Sequence, residues 1–202
     1  MGIDRCIKVG VVDSGISDGH IHVGRIAGGI SFAGDSDMVD RLGHGTAVAG
    51  AIRQWAPEAQ LYAVKVFDRR LSTTIETLVR ALEWCRDQGM DIVNLSLGTS
   101  NPVHRDRFLA VFGTLPLVVS PAAVLPGSLP DAIGVEADGG CPREAFHYRD
   151  GVFYASPYPR PIPGVPVERN LSGVSFAVAN VTGLAAGSRQ TTREALIRSA
   201  TT

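Results

Sequence analysis

Three residues in this chain are of a type and placement that could do chemistry together: an aspartate ending a strand, and a histidine and a serine that each open a helix. Gly173-Val174-Ser175-Phe176-Ala177 leads into the small, apolar run Val178 to Gly187, which reads as a buried helix. Ser175 then falls in the first turn, where unpaired backbone N–H groups and the helix dipole favour negative charge. A hydroxyl attacking a carbonyl creates that charge, and it needs a base and a group to orient the base. Gly43-His44-Gly45-Thr46-Ala47-Val48-Ala49-Gly50 offers the base, an imidazole opening a helix of small residues. Val11-Val12-Asp13-Ser14-Gly15 offers the acid at the carboxyl end of a Val-rich strand, the edge where α/β sheets gather their functional groups. Taken singly, Asp13 also reads as a turn or cap aspartate and His44 as a structural histidine. In the order Asp, His, Ser they become one signal.

The elements that must position these groups alternate. Ile7 to Val12 reads as a first strand, Leu61 to Phe67 as a second, Asp91 to Gly98 as a third, Leu117 to Val119 as a fourth and Ala132 to Val135 as a fifth. Residues 16–40 read as loop. Thr73-x-x-Glu76 is a capping-box pattern opening a helix with Ile75, Leu78, Val79, Leu82 and Cys85 on one face and a stop near Gly89. Residues 103–113 predict a short helix, and Thr192 to Ser199 a last one. Strands alternating with helices imply a mostly parallel central sheet with helices on both faces, in a single domain over residues 1–202. Between 138 and 172, Pro157, Pro159, Pro161, Pro163 and Pro166 around Tyr148, Phe153, Tyr154 and Tyr158 predict hairpins and loops over one edge.

Composition narrows the function. The formal net charge is −1 with no long run of one sign, which argues against a nucleic-acid binder. No apolar run is long enough to span a membrane. Cys6, Cys85 and Cys141 are odd in number and lack C-x-x-C spacing, so reduced thiols are expected rather than disulfides or zinc. The N-terminus shows no basic segment followed by an apolar stretch, so a cytoplasmic protein is expected. No G-x-G-x-x-G or P-loop supports nucleotide binding.

The chain resembles the subtilisin-like serine peptidases from Val9 to Gly187. Val11 to Gly15 looks like the family's aspartate motif, His44 to Gly50 its histidine motif, Asn94-Leu95-Ser96-Leu97-Gly98 its substrate-binding strand, and Gly173 to Ala177 its serine motif. The Asp, His, Ser order is that of subtilisin. The resemblance implies a subtilisin-like α/β fold, with Ser175 as nucleophile, His44 as general base and then acid, and Asp13 orienting the imidazole. It implies that Ser96, Leu97 and Gly98 pair with an extended peptide as an added strand. It further implies an endopeptidase acting on a peptide or protein substrate, with no cofactor required, and leaves room for a partner subunit. Structural calcium is common in the family. Asp35, Asp37 and Asp40 form a possible cluster, but a solvated acidic loop is the better reading, and no metal site is expected. His20-Ile21-His22 is a further, generic metal pattern.

This sequence departs from the family in the oxyanion site. The family's donor asparagine follows the fourth strand, where this chain has Val118-Val119-Ser120-Pro121-Ala122-Ala123. Ala123 stands near that position and a methyl group cannot donate. The Ser175 N–H remains, the second donor is unknown, and Ser120 and Ser128 are candidates. The missing asparagine motivates a second expectation, a peptide- or partner-binding module with weak turnover. Val174, Phe176, Ala179 and Asn180 also replace family residues, with packing the expected consequence. No pro-segment precedes the first strand, which suggests an intracellular member with a narrow substrate.

Overall fold

A computed structural model describes residues 5–34 and 36–201. Eight strands form one sheet: β1 (Lys8–Asp13), β2 (Gly28–Ser31), β3 (Gln60–Lys65), β4 (Ile92–Leu95), β5 (Leu117–Pro121), β6 (Ile133–Ala137), β7 (Phe146–Arg149) and β8 (Val152–Ala155). Their order is β2-β3-β1-β4-β5-β6-β8-β7, and every pairing is parallel except the β7–β8 hairpin at the edge. Helices α1 (His44–Trp55), α2 (Ile75–Asp87), α3 (Arg105–Phe112), α4 (Val174–Gly187) and α5 (Arg193–Ser199) complete the chain.

The strands divide their side chains between two cores, as the two-residue period requires. On β1, Val9 and Val11 enter one core and Val12 the other. The first core packs under α1, α4 and Leu196 of α5, and the second under α2 and α3. Each fully buried Val or Leu contributes about 1.5–3 kcal/mol relative to exposure. α4 is apolar nearly all round because it lies between α1 and the strands β4, β5, β6 and β8. Its approach to α1 is close enough that a Cβ on Gly187 would come within 2.1 Å of the Trp55 carbonyl oxygen. Among the described residues no helix is long and apolar enough to cross a membrane.

This topology positions the chemistry. β1, β4 and β5 are neighbours and run parallel, so their carboxyl ends carry Asp13, Ser96 to Gly98 and Ala122-Ala123 to one edge of the sheet. α1 and α4 begin with His44 and Val174.

Three local expectations need correction. Residues 16–40 contain the edge strand β2, paired with β3 from Gly28↔Tyr62 to Ser31↔Lys65. Its two glycines hide it, because pairing with β3 and not intrinsic propensity makes it a strand. The cap of α2 is Thr74, whose side chain accepts from the Thr77 N–H, so the Thr73-x-x-Glu76 reading lies one residue early. The third strand ends at Leu95 rather than Gly98, leaving Ser96 to Gly98 outside the sheet.

Candidate active site

Asp13 is the last residue of β1 and fully buried. Its Oδ1 lies 2.8 Å and its Oδ2 3.0 Å from Nδ1 of His44. The Ser14 N–H also donates to Oδ1, at 2.7 Å, fixing the carboxylate plane. The hydrogen bond to Asp13 pushes the His44 pKa up, against an opposing effect of burial, and the charges of Asp13 and Asp40 add to the rise. A buried carboxylate on Nδ1 selects the tautomer whose Nε2 can accept a proton. Gly45 is required here because a Cβ would meet the Gly15 carbonyl oxygen at 2.2 Å and the Asp13 Cβ at 3.1 Å.

The start of α1 is held by side chains from elsewhere. Gly43 caps it in a left-handed conformation and supplies no side-chain acceptor. The Gly45 N–H instead donates to Ser14 Oγ, and the Thr46 N–H and hydroxyl donate to Asp40 Oδ2 at 2.8 and 2.7 Å. Asp40 Oδ1 accepts from Ser14 Oγ and from the N–H groups of Leu42 and Gly43. Burial pushes the Asp40 pKa up, but the bonds from Thr46, Ser14 and Leu42 outweigh it and hold the carboxyl below its usual range. Asp40 therefore clamps the segment after Asp13 to the helix carrying His44. Asp40→Asn keeps the size but cannot accept at both positions. It is expected to cost about 1–2 kcal/mol of stability. It should also move the acidic limb of kcat/KM to lower pH, because a charge that raises the His44 pKa is gone. Thermal unfolding and a pH–rate profile check both, and an unmoved limb would deny Asp40 any influence on His44.

Ser175 is the second residue of α4, and among the described residues its backbone N–H has no acceptor. Its Oγ donates to the Ser96 carbonyl at 3.2 Å, and Ser96 Oγ donates back to the Ser175 carbonyl at 3.1 Å. A buried chain supports this clasp: Asn94 Nδ2 donates to Ser96 Oγ, and Thr182 Oγ1 donates to Asn94 Oδ1. The hydroxyl thus faces Ser96 and makes no hydrogen bond to His44. The Phe176 ring lies 5.9 Å from the imidazole, which brings the serine-bearing turn against His44. To bond to His44, the Ser175 hydroxyl would have to leave the Ser96 carbonyl. Asn180, fully buried, donates to the Ser156 and Tyr158 carbonyls and accepts from Trp55 Nε1, tying the segment before Gly173 to α4 and α1.

Neither Ala123 nor Ser120 offers the second oxyanion donor. Ala123 is exposed, and Ser120 is fully buried with its hydroxyl turned to the Leu97 carbonyl at 3.3 Å. Ser128 is exposed; its N–H donates to the Val124 carbonyl at 3.0 Å, and its hydroxyl has no partner among the described residues. Ser96, Leu97 and Gly98 run beyond β4, with Thr99 bridging to Leu125. On the His44 side, a groove of about 460 Å³ is lined by Gly43, Ala47, Ile21, Ile162, Asn170 and Leu171.

The metal readings find little to build on. Asp37 is held at a pKa of about 2, chiefly by the hydrogen bonds from Arg41, and also lies 3.5 Å from Lys65 Nζ. Asp40 is engaged as above, and Asp35 lies outside the described residues. Among the described residues no group of three His, Cys, Asp or Glu side chains could hold a metal ion. The His20 ring accepts from the His22 N–H and stacks edge-on to the His22 ring. Cys6, Cys85 and Cys141 are unpaired. Burial pushes the Cys85 thiol up to about 12 and also raises Cys141, so neither is an activated nucleophile.

Fold and site together define an α/β protein of subtilisin-like architecture. A profile described as "Subtilase family" matches residues 4–120, more than half of the chain. The match takes in Asp13, His44 and Ser96 to Gly98 and ends before Ser175. Subtilisin DY of Bacillus licheniformis is 38% identical over 102 residues, 46% of this chain and 37% of that protein. Subtilisin Savinase of Lederbergia lenta is 42% identical over 106 residues, 48% of this chain and 39% of that protein. These matches span about two fifths of the length of the curated relatives. A solved structure described as a cold adapted subtilisin-like serine proteinase superposes with a TM-score of 0.69 at 20% identity, covering 95% of this chain and 78% of that one. The chain belongs to the subtilase family.

Proposed function

We propose that the chain is a serine endopeptidase that cleaves peptide bonds through an acyl-enzyme. The observation that carries this reading is the buried Asp13 carboxylate on His44 Nδ1, beside a helix whose first turn holds Ser175. Ser175 Oγ attacks the scissile carbonyl and forms the ester while His44 Nε2 takes its proton. His44 returns that proton to the departing amine. Water then repeats the sequence on the ester and frees the acid, with Ser175 regaining its proton. The Ser175 N–H faces the oxyanion, and Ser96 to Gly98 pair with an extended peptide or protein substrate. Every step uses side chains and backbone of the chain itself, so no cofactor is called for. The three unpaired cysteines favour a reducing, cytoplasmic setting and a narrow intracellular substrate.

A second reading, a peptide- or partner-binding module with weak turnover, is favoured by the absent second donor at Ala123 and by the Ser175 hydroxyl bonding to Ser96. Labelling with a fluorophosphonate probe from about pH 6 to 9 separates the two. One serine adduct at Ser175 is expected, absent in Ser175→Ala. A protein that stays unlabelled throughout that range is the binding module instead.

A further inference from the structure

We propose that Arg105 selects an acidic side chain on the acyl side of the scissile bond. This deepens the proteolytic reading above and rests on it. A cavity of about 260 Å³ opens just past Gly98, lined by Thr99, Ser100, Arg105, Ala123, Val124 and Ser128 together with Pro102 and Leu125. One wall continues directly from the strand assigned to the substrate, and the other begins at Ala123, where the oxyanion donor is missing. The walls are joined by paired bonds, Thr99 N–H to the Leu125 carbonyl at 2.9 Å and Leu125 N–H to the Thr99 carbonyl at 3.0 Å, which hold the cavity's shape.

The side of the peptide follows from the proton. His44 must donate to the departing amine, so the leaving segment lies against α1, where the groove of Gly43 and Ala47 runs. No residue of α1 lines the cavity past Gly98. A side chain reaching it therefore belongs to the acyl segment.

The charge of that side chain follows from the lining. Arg105 is the one ionisable residue in it, and among the described residues its guanidinium has no ion pair or hydrogen bond. Its neighbours Asp106 and Arg107 are exposed and carry opposite charges that largely cancel. The hydroxyls of Ser100 and Ser128 likewise have no partner among the described residues, and both residues are exposed. A carboxylate entering here meets a planar, always charged donor fork and two further donors. A lysine side chain meets a like charge, and a neutral amide forgoes the ionic part of the interaction.

The test uses fluorogenic peptides identical except for Glu, Gln or Lys at the acyl-side residue. Glu is expected to exceed Gln in kcat/KM by about tenfold at low salt, and the ratio should shrink as salt screens this exposed pair. R105K should keep the preference, and R105E should reverse it in favour of Lys. Arg105 is exposed, so neither change threatens the fold. Fluorophosphonate labelling, which is blind to this side chain, is run on each variant. Labelled enzymes whose Glu-to-Gln ratio is the same with Arg or Glu at position 105 overturn this inference and leave the proteolytic reading standing. Failure to label any of them removes the proteolytic reading and this inference with it.

Discussion

Ser175→Ala is expected to lower kcat by about a million-fold, the size measured for the corresponding change in subtilisin. On the proteolytic reading the hydroxyl is the atom that becomes the ester, and neither nearby serine can replace it. Ser96 Oγ is turned to the Ser175 carbonyl and Ser120 Oγ to the Leu97 carbonyl. KM should change little, because the substrate strand and the Ser175 N–H are untouched. The structural cost should also be small. The variant loses the Oγ bond to the Ser96 carbonyl, worth about 1 kcal/mol, while the reverse bond from Ser96 Oγ to the Ser175 carbonyl survives. A melting temperature within about 2–4 °C of the parent is therefore expected. Single-turnover kinetics and thermal unfolding on the same preparation read both quantities. A kcat within a hundredfold of the parent, in a protein free of contaminating protease, would mean that another group attacks the carbonyl.

The positions of the proposed nucleophile and its partners at element ends were legible because their surroundings are constrained over short distances. His44 opens α1 where the glycine-flanked run of small residues predicts, and Asp13 ends β1 because Val-rich buried strands announce their boundaries. Other features depend on neighbours remote in sequence. β2 has no strand signature of its own and exists through β3. Asp40 reads as one acid in a polar loop, yet its partners Ser14 and Thr46 lie on opposite sides of it in the chain, and only the fold shows them sharing its carboxylate. The same holds for Asn180, expected only to alter packing in an apolar helix, until Trp55 and the 156–158 carbonyls arrive around it. Arg105 had no local signal at all, since its setting is made by a wall that begins at Ala123.

Asp13→Asn tests the relay from its other end. The Ser14 N–H holds Oδ1, so an asparagine that keeps this bond turns its amide nitrogen into the Oδ2 position, 3.0 Å from His44 Nδ1 in the parent. An N–H donor there favours the tautomer with the proton on Nε2, the atom that should accept from Ser175. A fall in kcat of about 10⁴-fold is expected, with the fold retained. The pH profile carries a second signature. In the parent, the hydrogen bond to Asp13 and then its charge raise the His44 pKa, and only neutral His44 can act as base, so activity rises with pH through that elevated value. Asparagine removes both effects while burial still pulls the pKa down. The acidic limb must therefore shift to lower pH even as the plateau collapses. A variant losing less than tenfold in kcat, or one whose limb moved to higher pH, would show that His44 does not depend on Asp13 for its orientation and charge.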